Sequence, residues 1–117
     1  MKKAINQVEA NGDSSAWDAA LENVEFFTDI GDTLEGTYLG IRQNGTFHDG
    51  KPRYMMGFVE PDGTAVSVNA TPSMSILMKD VPVGQQCSLE FCDTEDVAPG
   101  YSPRKLFCYR ETTLNFE

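Results

Sequence analysis

Two stretches of this 117-residue chain bring aromatic rings and cations together. The first is "NGTFHDGKP", Asn44 to Pro52, preceded by Arg42 and followed by Arg53 and Tyr54. The second is "DTEDVAPGYSPRK", Asp93 to Lys105. Such a mixture suits a single nucleic-acid strand, because Lys and Arg track phosphates while each ring gives a base a stacking surface worth about 1–3 kcal/mol. Phe47, His48 and Tyr101 are the candidate stacking residues, and Arg42, Lys51, Arg53, Arg104 and Lys105 the candidate phosphate contacts. Tyr54 fits two roles, base platform or core residue, since strand aromatics commonly pack inward. Phe47 is the most telling, because a ring at a polar loop tip has no obvious core to enter.

Other chemistries find little support. Gly45 to Lys51 matches the G-x-x-x-x-G-K of a phosphate-binding loop, but Pro52 stands where a magnesium-binding hydroxyl belongs, and no helix is expected to follow. No Ser/His/Asp order, paired-carboxylate motif or Cys/His nucleophile pair stands out, and Asp29 and Asp32 read as turn caps. The chain is therefore expected not to be an enzyme, and no metal or cofactor is implied. Cys87, Cys92 and Cys108 are an odd number without C-x-x-C or Cys/His ligand spacing, which suggests neither a disulfide framework nor zinc. A reducing cytoplasm is the expected location. The sequons at Asn44 and Asn69 lack a secretory signal and are read as chance matches.

The elements that would position these residues follow from periodicity. Ser15 to Asp18 has the form of a capping box, and Trp17, Ala20, Leu21 and Val24 recur at helical spacing, predicting an amphipathic helix over 15–25 with Trp17 as core anchor. A strand over 33–43 follows. A second, 53–60, alternates Tyr54, Met56 and Phe58 against Met55, Gly57 and Val59. Glu60-Pro61-Asp62-Gly63 is a turn, and 64–70 forms a third strand with Val66 and Val68 on one face. Thr71-Pro72 opens a helix carrying Met74, Leu77, Met78 and Val81. Strands over 86–92 and 105–111 flank a polar loop, 93–104. Residues 1–14 read as a flexible lead-in, and 15–117 as a single domain.

Five strands with one helix between the third and fourth is the chain order of the OB-fold, a mainly β, five-stranded, partly open Greek-key barrel. Its first strand must curve, and Gly36 and Gly40 are expected to be the bends. The runs "GDTLEGTYLGI", "RYMMGFVEPDG", "TPSMSILMKDVPVGQQ" and "KLFCYR" together resemble small OB-fold single-stranded DNA-binding proteins of phages and plasmids. The resemblance covers roughly residues 17–111 and implies replication or recombination as the setting, in the cytoplasm of the host cell.

The formal charge of −9 pulls the other way, because nucleic-acid binders usually carry a basic field. It is unevenly spread. Residues 1–35 hold eight carboxylates against Lys2 and Lys3, whereas residues 36–79 hold four cations against three carboxylates. The competing reading is an acidic OB-fold adaptor or inhibitor that mimics DNA and meets a protein partner through its acidic surface. A homodimer or higher homo-oligomer is a further expected partner, since short open sheet edges can pair with a second copy. Apolar runs are only a few residues long, and the Met-Lys-Lys start leads into polar residues, so no membrane association is expected.

Overall fold

A computed structural model describes residues 14–112, so the expected lead-in falls almost wholly outside the described residues. The elements are α1 (Ser14–Glu22), β1 (Thr33–Thr46), β2 (Pro52–Val59), β3 (Ala65–Asn69), α2 (Pro72–Leu77), β4 (Gln86–Glu95) and β5 (Arg104–Glu111). The strands form one antiparallel sheet in the order β3-β2-β1-β4-β5. Among the described residues no ladder joins β3 to β5, so the sheet is not closed.

β1 serves both halves of the sheet. Thr33 to Thr37 pair with β4, and Thr37 to Thr46 pair with β2. Both glycines of its first half have a structural reason. A Cβ on Gly36 would lie 2.5 Å from the Val59 carbonyl oxygen, so this glycine permits a close backbone approach. Gly40 has φ +98° and sits at a register shift, where Tyr38 opposes Phe58 and Gly40 opposes Gly57, leaving Leu39 as the extra residue. Tyr38 and Leu39 face opposite core clusters as neighbours in a strand do, but the bulge changes the alternation beyond them: Gly40 opposes Gly57, so it does not share the Tyr38 face.

The two clusters lie on opposite faces of the sheet. Tyr38, Met56, Phe58, Val66, Val68, Leu89 and Phe91 pack with Met74 and Met78 from the α2 region. On the other face, Leu39, Met55, Val59 and Ala65 meet Ala16, Trp17, Ala19 and Ala20 of α1. Period-two alternation along β2 and β3 therefore divides as read from the sequence. Trp17 is buried, and its indole N–H donates to the Leu39 carbonyl at 3.2 Å. Phe58 is wholly buried, whereas Tyr54, at the start of β2, is 44% exposed.

The first helix stops at Glu22 and not at residue 25. Asn23 donates from its side-chain amide to the Ala65 carbonyl at 2.9 Å, and the Ser67 hydroxyl takes up the Ala20 carbonyl at 2.8 Å. The Ser67 bond occupies the Ala20 carbonyl, which a longer helix would bond to the Val24 N–H. The chain then runs along β3: Ser67 N–H donates to Asn23 O, Glu25 N–H donates to Ser67 O, and Val24 makes an isolated parallel bridge with Ser67. This strap occupies the outer edge of β3, where a closing strand would have to pair. Phe27 is buried beyond it, and Asp32 ends the strap by accepting the backbone N–H groups of Thr28 and Asp29. These bonds hold the Asp32 carboxyl below its ordinary pKa.

α2 is short, with the Thr71 hydroxyl accepting the Met74 N–H as an N-cap. Of its expected apolar stripe, Met74 and Met78 are buried, while Leu77 is 37% exposed and Val81 lies beyond the helix. β4 and β5 extend further than expected, pairing as far as Glu95 with Arg104, so the loop shrinks to residues 96–103. The expectation of no disulfide is corrected here: Cys92 and Cys108 form one across this hairpin, with Cα atoms 6.1 Å apart. A bulge between Phe91 and Asp93 places Cys92 off the regular alternation, diagonally across from Cys108. Cys87 is free and buried. No helix among the described residues is long and apolar enough to cross a membrane.

Candidate nucleic-acid interface

The β1–β2 hairpin turn is built by local backbone bonds. Phe47 N–H donates to Lys51 O at 2.8 Å, Gly50 N–H donates to Phe47 O at 2.9 Å, and the Asp49 carboxylate accepts Lys51 N–H at 3.0 Å. This is a tight reversal within a sheet, with no helix behind it, which disposes of the phosphate-loop match in structural terms. The turn holds Phe47 at 49% exposure, close to Tyr54 at 44%. Together with Lys51, Pro52, Ala70 and Pro72 they line a depression of about 630 Å³.

A second depression, about 650 Å³, adjoins the first at Thr71 and Pro72 and is lined by Ile76, Pro103, Arg104 and Lys105. The two make a groove that starts at the β1–β2 turn, passes the start of α2 and ends at the base of the β4–β5 loop. Five of the nine candidate residues therefore line it: Phe47, Lys51, Tyr54, Arg104 and Lys105. Its cations sit at the two ends and its rings at one.

The other four are elsewhere. Arg42 is in register with Met55, and its guanidinium carbon lies 4.8 Å above the Trp17 ring, on the α1 face. Arg53 alternates with Tyr54 and donates from Nε to the Asn44 carbonyl at 3.4 Å. His48 is exposed at the tip of the β1–β2 turn. Tyr101 is 74% exposed and lines a separate depression formed by residues 96–101 of the β4–β5 loop.

Two groove cations already have protein partners. Arg104 Nη1 lies 3.4 Å from Glu95 Oε1. The Lys105 ammonium donates to the Phe27 carbonyl and lies 5.3 Å from the Phe91 ring centroid. Sequence reasoning did not find the groove wall supplied by α2. Ile76 is 69% exposed there, and the available signal was that it falls off the Met74–Met78 stripe. Among the described residues no cluster of His, Cys, Asp and Glu could hold a metal ion.

Comparisons of the chain with protein-family models, with curated proteins and with solved structures find no match.

Proposed function

We propose that this protein binds single-stranded DNA with little sequence preference, in the groove between the β1–β2 turn and the β4–β5 loop. The observation that carries this reading is the pair of half-exposed rings, Phe47 and Tyr54, flanking Lys51 on one groove wall. Rings left in water forgo burial that would otherwise stabilise the fold, and a stacked base restores it. The strand order and the helix between β3 and β4 agree with an OB-fold, in which ligands lie between these two loops. That support is an analogy of fold. Replication or recombination of a phage or mobile element is the setting it suggests.

A second reading, an acidic adaptor that meets a basic protein partner, draws on the charge of −9 and on the capture of Arg104 by Glu95. Titration of labelled thymine oligonucleotides, single-stranded and as duplexes with adenine strands, separates the two. Single strands should bind with an affinity that falls as salt rises, losing about 0.7 counterions per phosphate contact, and duplexes should bind far more weakly. Absence of single-strand binding at low salt would reject the first reading in favour of the second.

A further inference from the structure

At one end of the groove, Arg104 is paired with one of the protein's own carboxylates. Glu95 closes β4 directly opposite Arg104, the first residue of β5, and the two side chains meet at 3.4 Å while remaining 54% and 56% exposed. An ion pair this open to water is weak and exchanges readily. A carboxylate also presents to a guanidinium the same arrangement of oxygens that a phosphate does. Neighbouring groups are committed differently. Asp93 accepts the Thr94 N–H, and Lys105 is turned toward the Phe27 carbonyl. Arg104 is thus the groove cation whose partner is a displaceable acid.

We propose that Glu95 is an internal competitor: it occupies the phosphate position of Arg104 in the free protein and is displaced when a strand enters the groove. This rests on the single-strand reading above. Contacts made at the distant ring-bearing end supply the free energy that moves Glu95 aside, so ligands reaching only the Arg104 end are disfavoured. An acidic protein thereby keeps a phosphate contact in reserve for a strand long enough to span both depressions.

The test is Glu95→Gln, which keeps the side-chain shape and removes the charge, compared with Asp18→Asn on α1, across the sheet. Binding of a thymine oligonucleotide to Glu95→Gln should tighten about two- to fivefold at low salt. Its log K against log salt slope should match that of wild type, because Arg104 makes the same phosphate contact in both complexes. Asp18→Asn should leave the affinity unchanged, and Glu95→Gln combined with Arg104→Ala should bind no tighter than Arg104→Ala alone. Wild-type affinity in Glu95→Gln, or a gain that survives loss of Arg104, would overturn the competitor while leaving single-strand binding intact. If folded wild type and Glu95→Gln both fail to bind the oligonucleotide, the competitor and the single-strand reading fall together.

Discussion

Phe27 meets Phe107 edge to face, with ring centroids 5.0 Å apart and planes at 72°. The contact joins the strap after α1 to β5, across the side of the sheet where β3 and β5 do not pair. Phe107 also approaches Phe91 at 5.7 Å, so the strap is anchored to the core behind both terminal strands. Phe27→Ala should therefore lower stability by about 3–5 kcal/mol, as for other buried phenylalanines. Phe26, 68% exposed beside it, should tolerate alanine within about 0.5 kcal/mol. Urea unfolding of the two variants checks the contrast.

Gly36→Ala places a Cβ against the backbone of Val59, which cannot swing away as a side chain could. The expected cost is about 1–3 kcal/mol, read as a lower urea midpoint. Gly40→Ala should cost about 1–2 kcal/mol for a different reason, its left-handed backbone.

Within the groove, Lys51→Ala should weaken single-strand binding and flatten the salt dependence by about 0.7 in slope, whereas Phe47→Ala and Tyr54→Ala should weaken it by about 1–3 kcal/mol each without changing the slope. Arg42→Ala should leave binding unchanged and instead cost about 0.5–1 kcal/mol of stability through its stacking on Trp17. Anisotropy titrations at several salt concentrations, with melting curves alongside, measure both effects. Pronounced thermal destabilisation by Phe47→Ala would mark its ring as structural.

Burial pushes the Tyr38 phenol up to about 12, with the neighbouring Cys87 thiol adding to the rise, and pushes Cys87 itself up to about 11, with the Glu111 carboxylate adding there. Both protons are held more tightly in the folded chain, so their contribution is full below the unfolded values near 9.0 and 10.0. It is lost as pH rises toward 12. Tyr38→Phe removes the phenol's share and should show a shallower loss of stability between pH 10 and 12. Urea midpoints measured across that range, for wild type and variant, test the difference.

Local patterning carried the sheet. Alternation separated Met56 and Phe58 from Met55 and Val59, and the Thr71-Pro72 cap marked α2, because each depends on neighbours within a few residues. Long-range competition decided what was missed. Val24 continues the helical spacing, yet the backbone of Ser67 and the Asn23 bond to Ala65 draw it into the strap. Arg42 reads as a free cation until β1 and α1 are brought together over Trp17. The register of β4 on β5, with Glu90 opposite Cys108, sets Cys92 beside its partner, and composition alone cannot reveal a register. In the groove, Phe47, Lys51 and Tyr54 were legible as a local cluster, but the wall opposite them comes from α2, contributed by tertiary packing.

Because β1 gives its first residues to β4 and its remainder to β2, neither half of the sheet can detach while the other stays whole. The β1–β2–β3 meander assembles from near neighbours, but β4 must return from the far end of the chain to complete the shared strand. Opening is then a single cooperative event, and the central amides of β1 exchange their hydrogens with solvent only at the rate set by global unfolding. Those of the β4–β5 loop, at the tip of its hairpin, are free to exchange through local opening long before.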